Sequence, residues 1–216
     1  GPTEGSTLYP GKRPVPAKLN RKGSGKMSHK DYKAVIKPFL SEKRYRHSLA
    51  VAEEAVHLAK KYGADEEKAY TAGILHDIMK DMDPEEQLKR MTRYDIILTE
   101  VERSGQKLWH AMLGAAYVEN ELHIDDPEIL NAIRYHTTGR AHMTLLEKVL
   151  FVADFTSSDR DYPGVEDIRK AARKSLLEAM LSGMTYTIQD LTERRLAIHP
   201  DTIAAYNEAV LEARAI

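Results

Sequence analysis

The sequence predicts an all-α fold, with a single compact helical domain over residues 28–216. Three observations carry that expectation. Apolar residues recur at three-and-four spacing from Ser28 onward. Start and stop residues bracket the resulting stretches. No segment alternates as a half-buried strand does, and no internal repeat is visible. With 216 residues, 42% hydrophobic and 30% charged, the chain can bury one sizeable core.

The elements follow in order. Ser28 and Asp31 resemble a capping box opening a short helix through Leu40. A long helix over 42–62 carries the stripe Tyr45, Leu49, Ala52, Val56, Ala59, and Gly63 stops it. Asp65 opens the next helix, which runs to about Met79. Asp83-Pro84 sets an N-cap acid before a first-turn proline. A helix over 108–122 follows a polar break. Asp126-Pro127 opens another, closed by Gly139. A strongly apolar helix covers 144–155. Helices over 164–181 and 185–198 come next. His199-Pro200 breaks the chain, and Asp201 caps the last helix.

Residues 1–27 stand apart. They hold four of the nine prolines, five of the twelve glycines and six Lys/Arg against one acid, Glu4. They read as a flexible basic leader, appended before a natural start at Met27. The alternative is a native basic arm for an anionic partner. The rest of the chain carries 26 basic and 32 acidic residues, so nucleic acid is not an expected partner. No apolar run reaches the ~18 residues of a membrane span. The chain has no cysteine, which removes disulfides and thiolate metal sites and fits a cytoplasmic enzyme. Any metal must be held by histidine and carboxylate.

The chemistry starts at Gly73-Ile74-Leu75-His76-Asp77-Ile78, where a charged pair interrupts an apolar helical stretch. A carboxylate buried without a partner costs several kcal/mol. A cation beside His76 and Asp77 offsets that cost. Adjacent helical residues point ~100° apart, so the cation must lie at a seam that receives ligands from other helices. His47, in line with Val51 and Leu58 at the edge of a core face, is one candidate. Asp154, inside Leu150-Phe151-Val152-Ala153-Asp154-Phe155, is another; its alternative is a buried salt bridge to an arginine. A two-His, two-carboxylate set suits iron, manganese or zinc. His57, His123 and His142 lie among polar neighbours and are expected at the surface. Trp109 is expected to pack on the core. His199, before Pro200, could cap, stack on a base or face water.

His47, His76-Asp77 and Asp154 resemble the HD superfamily signature in order. Further pieces narrow the resemblance: 74–80, Trp109-His110, Tyr135-His136-Thr137-Thr138-Gly139, 148–154, Arg160-Asp161-Tyr162-Pro163-Gly164-Val165 and Ile198-His199-Pro200-Asp201-Thr202. The chain from about 30 to 214 resembles the YqeK family, bacterial HD hydrolases that split diadenosine tetraphosphate symmetrically into two ADP. The resemblance implies that His47, His76, Asp77 and Asp154 hold an iron, with manganese or another divalent metal as alternatives. It implies that His110 and His136 face the same cavity, either holding a second metal or binding phosphate oxygens. Arg44, Lys80 and Arg160 would contact phosphates, and Thr137 would donate its hydroxyl. Residues 198–202, with His199, Asp201 and Thr202, would close over the nucleotide. Asp77 and Lys80 would be catalytic: a metal lowers the pKa of its water toward ~7, Asp77 orients that water, and Lys80 neutralises phosphoryl charge from the same helical face. The chain departs from the family in one place, where Ser157-Ser158 replaces the usual Glu-Pro. That puts nucleotide preference in doubt. Expected ligands are thus a dinucleoside polyphosphate or ADP. A homodimer stays open. Competing readings are an HD nucleotidase or phosphodiesterase for another nucleotide, and a nucleotide-binding regulatory module.

Overall fold

Side chains that satisfy the first amides of a helix, and residues that halt its last turn, set most boundaries in this molecule. A computed structural model describes residues 21–22 and 26–215. Eleven helices occur among them: α1 (His29–Ile36), α2 (Glu42–Tyr62), α3 (Glu66–Leu75), α4 (Pro84–Arg93), α5 (Glu100–Ser104), α6 (Trp109–Glu121), α7 (Pro127–Arg134), α8 (Leu145–Thr156), α9 (Val165–Lys174), α10 (Leu176–Glu193) and α11 (Pro200–Ala215). The other regular elements are two short 3-10 turns and a two-residue antiparallel pair, β1 (Arg21–Lys22) with β2 (Lys26–Met27). The expectation of a leader over 1–27 otherwise lies outside the described residues.

Ser28 and Asp31 do form a capping box, and α1 then tightens into a 3-10 turn over Lys37–Phe39. Ser41 caps α2, and Gly63 ends it in the left-handed region at φ 85°. The buried face of α2 is His47, Ser48, Val51, Ala52, Ala55, Leu58 and Ala59. Tyr45, Leu49 and Val56 of the expected stripe are only partly buried, at the rim of the core. The core is one cluster in which α3 and α8 are central; Ile74, Leu75, Val149 and Leu150 are fully buried.

Five boundaries differ from expectation, one being that α10 ends at Glu193 and not at 198. α3 stops at Leu75, not Met79, because i→i+3 bonds (Ile78 N to Leu75 O, Lys80 N to Asp77 O) take over from the helical pattern. α5 is an added helix, opened by a capping box between Thr99 and Glu102. α7 ends at Arg134, and Gly139 lies beyond it in a turn at φ 69°. The break between α9 and α10 falls at Ser175, which is extended and accepts from Glu178 N. Gly183, at the expected break, is helical and lies against the Phe155 ring.

One close approach positions the site. A Cβ on Gly73 would stand 2.8 Å from Ala52 Cα and 3.1 Å from Ala52 N. The backbones of α2 and α3 therefore touch three residues before His76, which sets the distance between the histidines of the two helices. Gly73→Ala should destabilise the protein by about 1–3 kcal/mol, as overpacking does, seen as a lower melting temperature. An unchanged melt would mean the two helices can separate freely.

Candidate metal and phosphate site

Five elements deliver the side chains. α2 supplies Arg44 and His47, the turn after α3 supplies His76, Asp77 and Lys80, α6 supplies His110, the turn after α7 supplies His136, and α8 supplies Asp154. Arg160 comes from the loop after α8. The structure joins all of these expected residues except Lys80 in one network of pairwise contacts. His76 is not mid-helix, as the sequence implied, but the C-cap of α3.

The hydrogen bonds of His76 fix its chemistry. Its Nδ1 lies 2.6 Å from Gly73 O, one of the carbonyls a helix end leaves unpaired. A carbonyl only accepts, so Nδ1 carries a proton and Nε2 is the nitrogen left to bind a second proton or a metal. That Nε2 is buried without a hydrogen-bond partner. It faces Asp77 Oδ2 at 3.3 Å and Asp154 Oδ1 at 3.6 Å. His47 Nε2 faces the same oxygens, at 3.6 Å and 3.0 Å. Two neutral imidazoles against two carboxylates is a repulsive set, relieved by protons on the rings or by a metal ion between them. Donors bound ~2.0–2.2 Å from one ion stand roughly 2.8–3.6 Å apart, from octahedral to tetrahedral angles. The four separations match that range, so the residues fit a divalent metal. His47, His76 and Asp154 already form one cluster of metal-ligating atoms, and His76, Asp77 and His136 another.

Asp77 joins two sides of the cavity. Its Oδ2 faces His47, His76 and Arg44, while its Oδ1 faces His110 Nε2 at 3.2 Å and His136 Nε2 at 3.5 Å. His136 repeats the device of His76, donating from Nδ1 to Ile133 O at 2.7 Å, three residues back. Its Nε2 lies 3.2 Å from His110 Nε2.

Two guanidiniums line the rim. Arg44 Nη1 donates to Asp77 Oδ2 at 3.1 Å. Arg160 Nη2 donates to Asp154 Oδ1 at 2.8 Å, and its Nε donates to Asp154 O. Asp154 thus makes the arginine salt bridge that was its alternative reading, and faces His47 and His76 as well. The Lys80 ammonium is half-buried, and burial lowers its pKa against the pull of Asp77. Thr137 is half-buried beside His136.

The 198–202 segment sits on the turn that carries His136. Thr202 Oγ1 donates to Thr138 O at 2.9 Å, deep in the protein. His199 Nε2 lies 3.0 Å from Glu102 Oε2, and its Nδ1 accepts from Asp201 N, so His199 caps α11. Asp201 is half-buried in the first turn of α11. His57, His123 and His142 are exposed. Trp109 is buried, with its Nε1 donating to Glu102 O. Sequence reasoning missed Asp159, whose Oδ2 lies 2.7 Å from His47 Nδ1. Its only signal was a third acid between Asp154 and Asp161.

Residues 44–159 match the HD domain family model. The chain is 43% identical to the symmetrical bis(5'-nucleosyl)-tetraphosphatase of Halalkalibacterium halodurans over 178 residues, covering 82% of this chain and 95% of that protein. It is 39% identical to the protein of that name in Bacillus subtilis, covering 84% and 97%. A solved structure from Clostridium acetobutylicum, described as a predicted HD superfamily hydrolase involved in NAD metabolism, superposes with a TM-score of 0.83. It is 36% identical and covers 87% of this chain and 100% of its own. No helix among the described residues is long and apolar enough to cross a membrane.

Two histidines should make the metal-free protein most stable near pH 6.5. Burial pushes His76 down, but Asp77 and Asp154 override it and raise its pKa to about 10. Burial wins at His110 and lowers its pKa to about 4, despite Asp77. Stability from His76 is complete below its ordinary 6.5 and is lost as pH rises toward 10. His110 binds its proton less readily folded than unfolded, so stability falls from pH 6.5 toward 4. Added Mn2+ replaces the His76 proton and should flatten the alkaline limb. Melts across this range, with chelator or with Mn2+, check this; an alkaline limb that ignores the metal would contradict it.

Proposed function

The chain belongs to the HD-domain family, in its branch of symmetrical bis(5'-nucleosyl)-tetraphosphatases, and we propose that it hydrolyses diadenosine tetraphosphate into two ADP. The observation that carries this reading is the ring of four donor separations around His47, His76, Asp77 and Asp154, bordered by Arg44, Lys80 and Arg160. An anionic metal cradle with cations at its mouth suits a substrate that is a chain of phosphates.

A divalent cation in the cradle would supply Lewis acidity, positive charge against the polyphosphate and a lowered pKa for water. Iron is the proposed metal, with manganese as the alternative, since every donor is an imidazole or a carboxylate. His110 and His136 either hold a second ion with Asp77 Oδ1 or bind phosphate oxygens. The lack of cysteine supports a cytoplasmic setting.

The residues then divide the work. Burial would raise the Asp77 pKa, but His76, His110 and His136 hold it well below the usual carboxylate range. Asp77 therefore stays an ionised acceptor that orients the attacking water, whose proton passes on to solvent. The water oxygen bonds to one of the two inner phosphorus atoms, and the bond from that phosphorus to the central bridging oxygen breaks. Substrate symmetry makes both fragments ADP, whichever inner phosphorus is attacked. The leaving group is a stable anion, so it needs charge neutralisation rather than a strong acid. Arg44, Lys80 and Arg160 supply that charge to the phosphoryl oxygens. Thr137 donates its hydroxyl to a phosphate. His199, Asp201 and Thr202 hold the 198–202 segment closed over the nucleotide.

Incubation of the Mn2+- or Fe2+-loaded protein with diadenosine tetraphosphate should give ADP as the sole nucleotide product. An ATP-plus-AMP pair would refute central cleavage. Asp77→Asn should abolish turnover and reduce bound metal, with far-UV circular dichroism unchanged. A fully active Asp77→Asn would show that the carboxylate is dispensable.

A further inference from the structure

We propose that Asp159, braced by Ser157, is the positioning residue that fixes the tautomer and ring plane of His47. The inference rests on the preceding reading of His47 as a metal ligand and extends it to residues with no role there.

His47 lies between carboxylates on both ring nitrogens. Nε2 faces the metal cradle, and Nδ1 lies 2.7 Å from Asp159 Oδ2. An ionised carboxylate only accepts, so Nδ1 carries a hydrogen, which leaves Nε2 as the nitrogen that a metal can bind in place of a proton. His76 and His136 achieve the same tautomer with a backbone carbonyl three residues back. His47 cannot copy them, because it sits in the second turn of α2, where carbonyls are committed to the helix. It needs an acceptor from outside, and the loop after α8 provides one.

That acceptor is held in place. Ser157 Oγ donates to Asp159 Oδ1 at 2.6 Å, so both carboxylate oxygens have partners. The loop is pinned in turn. Arg160 N bonds to Ser157 O, closing a turn. Arg169 of α9 donates to three loop carbonyls, from Nε to Thr156 O and from Nη2 to Ser157 O and Arg160 O. The same turn thus aims Asp159 at one side of His47 and Arg160 at the Asp154 carboxylate on the other. Such outer partners orient a ligating histidine and raise its basicity, and their loss typically lowers metal affinity about 10–100-fold.

The test is Mn2+ titration of the full-length protein, followed by the free-ion electron paramagnetic resonance signal. Asp159→Ala should weaken Mn2+ binding about 10–100-fold. Asp159→Asn, which keeps an acceptor oxygen, should recover most of that loss, and Ser157→Ala should weaken binding less than Asp159→Ala. In the metal-free wild type at alkaline pH, 15N-imidazole spectra should show neutral His47 with its hydrogen on Nδ1, and Asp159→Ala should shift it toward the Nε2–H tautomer. Melts of the metal-free variants report folding separately, and Ser157→Ala carries the test if Asp159→Ala fails to fold. Unchanged Mn2+ affinity in both alanine variants, or a neutral metal-free His47 that keeps the Nδ1–H tautomer without Asp159, overturns the proposal. Loss of diadenosine tetraphosphate turnover with intact metal binding would instead count against the substrate reading.

Discussion

Two carboxylates, Asp77 and Asp154, are brought together where four imidazoles converge, and this needs a positive charge between them. Ionised side chains lose several kcal/mol each on leaving water. The protein offsets that with histidines on the inside and guanidiniums at the rim. The field this creates is visible at His76, whose pKa rises to about 10 although burial alone would lower it. The family's metal chemistry is thus written into a local electrostatic demand, not only into a motif. A divalent ion meets that demand with the donors as they stand.

The rest of the structure serves that convergence. Close contact at Gly73 brings α3 against α2. The end of α3 at Leu75 turns Asp77 inward beside His76 instead of 100° around a continuing helix. Backbone carbonyls at helix ends set the tautomers of His76 and His136, and Asp159 does so for His47. Each device uses a group that would otherwise go unpaired or pay for desolvation. The 198–202 segment is locked to the same framework through Thr202 and His199.

Much of this was legible in the sequence, and the reasons for the rest are physical. Helix starts at Ser28, Asp65 and Asp126 were readable because a short polar side chain before a helical run does one job there. The convergence of His47, His76, Asp77 and Asp154 followed from the cost of burying charge. The early end of α3 was hidden, since no glycine or proline marks it and the signal is a histidine's own side chain. The break expected between 181 and 185 is absent for the opposite reason: Gly183 there is helical and packs on Phe155. Asp159 was invisible because a second-rank carboxylate in a polar loop looks like any solvated acid until its partner is known.

Anomalous diffraction from crystals grown with Mn2+ or Fe2+ tests the central claim most directly. The account predicts a peak about 2.0–2.2 Å from His47 Nε2, His76 Nε2 and the Asp77 and Asp154 carboxylates. It also predicts that the Arg44 and Arg160 guanidiniums stay at the rim of that peak. A fully hydrated ion elsewhere, with the four side chains closed on one another by salt bridges alone, would contradict it.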